Sequence, residues 1–265
     1  MDVQAVLDTI AADAGRGDMV FPTHAEIALR VRRILDDPDC SIDQLHKLIS
    51  AEPLLSARVV GLANSVAYNP SGRVSSDLRS AVSRLGFNTL RTLATALVVR
   101  QMRDMSGAPE HRALAARLWE HTAHVAALAR VIAKRITGQD PEAAFFAGIV
   151  HEVGGFYLLS RAAAFPGLLT GNLDAWHEHG VPAPICTAIE AMWEGYLALP
   201  PESLGDTLLL ADELAPTESP LAELSDMGRH GVAADIDVLI GEEMLNSILK
   251  DSAEEVASLI SALNA

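Results

Sequence analysis

Apolar residues along this chain recur with the three-to-four-residue period of a helix nearly throughout, and no segment alternates long enough to build a sheet. The pattern predicts an all-α fold. Thr23, after Pro22, reads as an N-cap for a helix whose stripe is Ile27, Val31, Ile34 and Leu35, with Pro38 just beyond its end. Ser41 followed three residues later by Gln44 reads as a capping box, because each side chain can satisfy the other's free backbone N–H; the helix behind it buries Leu45, Leu48 and Ile49. Pro53 opens a further helix, PLLSARVVGLAN, and Pro70-Ser71-Gly72 mark a loop over residues 68–75. Val82 and Leu85 lead to a stop at Gly86, after which Leu90, Leu93, Ala94 and Leu97 line the next helix. SGAP at 106–109 is a seam between two halves. Beyond it come long helices, short pieces broken by Pro166, Pro182, Pro184, Pro200 and Pro201, a PTESP linker, and acidic helices over 221–265.

Three of these helical stretches carry an ionisable side chain in an apolar setting. Leu114, Leu118, His121, Val125, Leu128 and Ile132 are spaced 4, 3, 4, 3, 4, so His121 lies on the stripe that faces the core. An unpartnered buried polar group costs roughly 2 kcal/mol, so a partner is expected. His151 and Glu152 sit in FFAGIVHEVGG, a run too apolar for a surface helix, and Asp212 follows Leu208, Leu209, Leu210 and Ala211. Buried carboxylates are tolerated mainly when paired or metal-bound. The economical arrangement brings all four together, either around a divalent metal held by nitrogen and oxygen ligands or in a metal-free hydrogen-bond network.

The order His121, His151-Glu152, Asp212 resembles the HD superfamily of metal-dependent phosphohydrolases, whose signature is a His, a later His-Asp pair and a final Asp. Within it the chain is most similar to the HDOD group, the divergent, mostly non-catalytic signalling branch. The segments that carry the resemblance are FPTHAEIALRVRRILDDPDCSIDQLHKLISAEPLLSARVVGLANS, SSDLRSAVSRLGFNTLRTLATAL, LWEHTAHVAALARVIA and DPEAAFFAGIVHEVGGFYLL, within about residues 19–215. The resemblance implies an HD-like helical bundle over 108–215 preceded by a helical subdomain over 19–107, flanked by an N-terminal extension over 1–18 and an acidic helical extension over 216–265.

The departures from that pattern bear on chemistry. Glu152 stands where the hydrolases have Asp, and its extra methylene shifts the carboxylate by more than the roughly 0.2 Å tolerance of metal–ligand distances, so either the backbone compensates or the metal is lost. Gly155 stands where a D-x-G-K pattern would put a phosphate-binding Lys. The His-His-Glu of the cyclic-dinucleotide hydrolases has only Met192 and Trp193 before Glu194 here. The expected function is therefore a non-catalytic signal-transduction or protein-interaction module on a degenerate metal site, with no cofactor, binding a regulatory protein partner. Asn64, Tyr68 and Asn69, in and after LANS, are its candidate contact surface. The alternative is a metal-dependent phosphohydrolase acting on a nucleotide or cyclic dinucleotide, with iron, manganese or magnesium held by His121, His151, Glu152 and Asp212. His124, off the stripe, is expected half-exposed, and His177 and His179 are two apart, which on a helix points them in different directions.

Charge narrows the partners. Residues 1–135 hold 17 basic and 14 acidic side chains, whereas residues 136–265 hold 3 and 21, so the second half carries −18 of an overall −15 and would repel nucleic acid. No nucleic-acid or membrane partner is expected; a homo-oligomer is compatible with the sequence. Two cysteines, Cys40 and Cys186, make no disulfide framework, and the acidic start MDVQAVLDTIAADAG is unlike a secretory signal, so a cytoplasmic location is expected.

Overall fold

Ser41 caps a helix as its spacing predicts. Its hydroxyl accepts the Gln44 N–H at 3.2 Å while the Gln44 side chain accepts the Ser41 N–H at 2.8 Å, and the helix that follows, α1 (Ile42–Ser50), buries Leu45 and Ile49. The computed structural model describes residues 30–162 apart from 32, 36, 38, 52 and 105–108, then 187, 189, 191, 192, 197, 198, 200–222 and 240–264. The extension over 1–18, the Thr23 cap, the 106–108 part of the seam, Cys186, and His177 with His179 lie outside the described residues.

From α1 the chain enters α2 (Pro53–Ala63), which buries Leu55, Val59 and Leu62. Next is α3 (Leu78–Asp104), interrupted where the sequence places its stop: Gly86 has φ 74° and ψ 172°, a backbone region open to glycine alone. Leu90, Leu93, Ala94 and Leu97 beyond the break are buried. The central helix is α4 (Pro109–Ile132), which runs into a π-helical turn, Ala133–Thr137. It packs against α5 (Pro141–Val150), α7 (Leu204–Glu213) and α8 (Glu242–Asn264), while the short α6 (Val153–Arg161) contacts both α3 and α4. No strand occurs among the described residues.

Two packing features set the position of everything that follows. At the crossing of α4 and α5 the helices approach so closely that a Cβ on Gly148 would lie 2.4 Å from the Ala126 Cα, so only glycine fits. One turn further along α4, Arg130 pairs with Glu142 of α5 at 2.9 Å and Glu255 of α8 at 3.4 Å, and stacks 4.3 Å from the centre of the Tyr68 ring. Thr89 of α3 donates to the same Glu142 at 2.8 Å. One guanidinium thus ties the loop after α2 and helices α3, α5 and α8 to α4. The 141–161 stretch is apolar enough for a membrane span, but it is broken at His151-Glu152, and 72% of its most apolar window is buried in this core.

Two outcomes test this packing. Gly148→Ala should lower unfolding stability by about 1–3 kcal/mol, since backbone must move to admit the methyl, whereas Gly61→Ala, with open space around it, should not; chemical denaturation of both variants checks this. Arg130→Ala should lower it by about 2–3 kcal/mol, somewhat less than for a fully dry pair, by leaving Glu142 and Glu255 facing each other without their shared cation.

Candidate metal centre

The close α4–α5 approach brings the Nε2 edges of His121 and His151 together, their rings tilted 51° to one another. Leu118, Val125, Leu128 and Ile132 of the His121 stripe are buried as its spacing predicts, and the two imidazoles are buried with their Nε2 atoms 3.3 Å apart. Their tautomers follow from the opposite edges of the rings. His121 Nδ1 lies 2.7 Å from the Thr217 carbonyl and His151 Nδ1 lies 2.7 Å from the Gly148 carbonyl. A carbonyl can only accept, so each Nδ1 carries a proton, and a ring in its neutral form turns an Nε2 lone pair toward the other.

Two carboxylates complete the arrangement. Asp212, on α7, places Oδ1 3.1 Å from His121 Nε2, and Glu152 places Oε2 3.6 Å from His121 Nε2 and 3.8 Å from His151 Nε2. The reach of glutamate is accommodated by its position at the α5–α6 junction, where φ −121° and ψ 25° take the backbone out of the helix, and by Ser219, whose hydroxyl donates to Oε1 at 2.5 Å. Asp212 is not sunk in the core as its leucine-rich flank suggests: its side chain is 32% exposed against 12% for Glu152, and it forms the open edge of the cluster.

The donor set fits a divalent cation. Atoms bound about 2.1 Å from one ion and 90–110° apart lie about 3.0–3.4 Å from one another, a range that holds the 3.1 Å from Asp212 Oδ1 to His121 Nε2 and the 3.3 Å between the Nε2 atoms, with Glu152 Oε2 beyond it at 3.6 and 3.8 Å. Among the described residues, His121, His151 and Asp212 form a group whose donor atoms all lie within 4.8 Å. Glu152 is not a member of that group; its Oε2 is buried without a hydrogen-bond partner, 3.6 and 3.8 Å from the two Nε2 atoms. Both ring N–H groups on backbone carbonyls supply the outer support that metal-binding histidines require.

Without a cation a proton does part of this work. Burial pushes the His121 imidazole down, but the hydrogen bond to Asp212, the charges of Glu152 and Asp212, and the Thr217 carbonyl outweigh it and hold the group up at about 9. Burial pushes His151 the other way, below its ordinary value, with the neighbouring His121 charge adding to the effect. The metal-free centre therefore holds one charged and one neutral imidazole at neutral pH.

The segment after α7, read from sequence as a linker, is part of this site. Thr217 fixes His121, Ser219 fixes Glu152, Pro220 is buried, and Leu221 covers Gly155, where a Cβ would come within 2.4 Å of Leu221 Cδ1 and 3.2 Å of Leu118 Cδ2. Pro, Ser and Thr announce a loop; only the Ser219 and Thr217 contacts reveal it as a strap. His124 is half-buried, with Nδ1 donating to the Glu120 carbonyl at 2.8 Å and taking no part in the centre. Met192 is buried, while Trp193 and Glu194 lie outside the described residues.

The three residues proposed as a contact surface turn inward. Asn64 braces its loop through both amide atoms, to Ser75 N–H at 2.7 Å and Ser75 carbonyl at 2.9 Å; Tyr68 lies under Arg130; and Asn69 is buried. The outward side of that loop is carried by Val66 and Val74, 67% and 72% exposed.

A charged His121 in the folded protein stabilises it fully below the unfolded value near 6.5, and that contribution disappears as pH rises through about 9. Neutral His151 works in the opposite sense, since its contribution is present above 6.5 and lost as pH falls. Chelator-treated protein should therefore lose stability to denaturant between pH 6.5 and 9, and His121→Ala should remove that slope; urea titrations across the range check it.

The HDOD domain model matches residues 21–172. Solved structures with the same fold include a candidate metal-dependent phosphohydrolase of Shewanella amazonensis SB2B, at TM-score 0.68 and 21% identity over 97% of this chain and 99% of that one. An HDOD domain protein of Geobacter sulfurreducens follows at 0.57 and 22%, covering 99% and 98%. A candidate signal transduction protein of Marinobacter aquaeolei VT8 superposes at 0.57 and 20% over 92% of this chain and 60% of that one. At these identities the likeness is one of fold. No curated protein sequence matches the chain. With more than half of its length matched by the family model, and with an all-helical architecture shared with these structures, the chain belongs to the HDOD domain family.

Proposed function

We propose that this chain is a non-catalytic signal-transduction module in which His121, His151, Glu152 and Asp212 hold one divalent ion as a fixed part of the scaffold, and that it works by binding a regulatory protein. The observation that carries this reading is the strap across the centre. Gly155 occupies the place where the resemblance puts a phosphate-binding lysine, and the space beside its Cα is filled by Leu221 and Leu118. That side of the centre is apolar and sealed. A bound ion supplies fixed positive charge to neutralise two carboxylates, and the nitrogen and oxygen donors suit manganese, iron or magnesium more than a thiol-seeking metal. Val66 and Val74, exposed on a loop held shut by Asn64, offer a partner an apolar contact that costs no loop ordering.

A second reading, a metal-dependent phosphohydrolase acting on a nucleotide or cyclic dinucleotide, is favoured by the convergence of the donors and by the solvent-open Asp212 edge. In that case the ion would act as a Lewis acid toward a phosphate oxygen.

Reconstitution separates the two. Chelator-treated protein refilled with Mn2+ or Fe2+ should retain about one ion per chain by elemental analysis, gain thermal stability, and lose both in His121→Ala. It should hydrolyse bis(4-nitrophenyl) phosphate no faster than that variant. Metal-dependent hydrolysis abolished by His121→Ala would transfer the chain to the second reading, and failure to retain any ion would leave the polar network without its metal.

A further inference from the structure

We infer that Ser219 is a positioning residue of the metal centre: it lets glutamate serve at position 152, and it makes ion binding and docking of the 217–221 strap one event. The inference rests on the metal-binding reading above and concerns residues that reading leaves unassigned.

Glutamate has one more rotatable bond than aspartate, so a glutamate ligand must be held or it will sample orientations that miss the ion. The structure holds it by one oxygen. Ser219 Oγ donates to Glu152 Oε1 at 2.5 Å, and this leaves Oε2, buried and without a hydrogen-bond partner, aimed at the two Nε2 atoms at 3.6 and 3.8 Å. Ser219 is itself held, since its Oγ accepts the Leu221 N–H at 3.1 Å and its carbonyl accepts the Ala222 N–H at 3.2 Å. The hydroxyl thus has one acceptor role filled by the strap, and its proton is committed to the carboxylate. An aspartate at position 152 would fall short by one methylene, about 1.5 Å, and could not reach both Ser219 and the centre.

The strap touches the centre at two of its four donors. Thr217 fixes the tautomer of His121 and Ser219 orients Glu152, and the chain reaches the strap directly from α7, which carries Asp212. A cation that draws Glu152 Oε2 inward favours the carboxylate orientation that Ser219 recognises, and a docked Ser219 favours the cation. By linkage the two effects are equal in size.

The test is Mn2+ titration of chelator-treated full-length protein in a double-mutant cycle of Ser219→Ala and Glu152→Asp, with hydrogen exchange followed over residues 217–222. Ser219→Ala should weaken Mn2+ binding about 10–100-fold in the wild-type background and less than about 3-fold in the Glu152→Asp background, where the contact cannot form. Ser219→Thr, which keeps the hydroxyl, should restore most of the affinity. Mn2+ should slow exchange of the strap amides in wild type and much less in Ser219→Ala. Equal Mn2+ affinity of wild type and Ser219→Ala, or the same loss in both backgrounds, overturns the role of Ser219 while leaving the metal centre intact. Absence of Mn2+ binding by wild type overturns the metal centre and this inference together.

Discussion

Two imidazole nitrogens, both stripped of water, face each other at 3.3 Å in the middle of an apolar helix crossing, and with both rings neutral each would turn a lone pair toward the other. Lone pairs so placed repel, and no side-chain rotation can relieve them while Thr217 and Gly148 hold the far edges of both rings. Something positive must stand between them, a proton or a cation. The rest of the site is a response to that constraint. Gly148 lacks the side chain that would keep α4 and α5 apart, and Asp212 and Glu152 bring the negative charge that a central positive charge requires. Protonation and metal binding are alternative solutions to one electrostatic problem, which is why the proton affinity of His121 is raised where an ion would also be held.

Much of the fold is legible in the sequence because it is written in local terms. The His121 stripe needs only helical spacing, the Ser41–Gln44 box needs only two side chains and the backbone between them, and Gly86 marks a break that no other residue could make. Three of the four candidate donors, His121, His151 and Asp212, also come together in space, each on or at the end of a helix.

What was not legible depended on contacts across the fold. Whether Glu152 can reach the centre turns on two backbone angles at a helix junction and on a hydroxyl 67 residues away. Asp212 follows a leucine run, yet its exposure depends on what covers the last turn of α7. Tyr68, in a loop rich in turn residues, reads as a surface aromatic until Arg130 of a distant helix is found stacked over it, and the exposed positions go to two valines that composition gave no reason to single out. Loop composition reports that the chain turns, not what it turns against.

The strap unites these observations. In a hydrolase of this architecture the side of the centre near Gly155 would need charge and room for phosphate; here Leu221 closes it. Closing it has a second consequence. The contacts through Thr217 and Ser219 connect the charge state of a buried cluster to a segment that runs along the surface, with exposed Glu218 between them. A centre closed on its Gly155 side and open only at Asp212 can be reported by the position of the chain that covers it, because the coupling between the central charge and docking of that chain is reciprocal. On the proposed reading, restricted access for phosphate and a signalling output are therefore two effects of one structural feature: residues 217–221 packed against the Gly155 side of the centre.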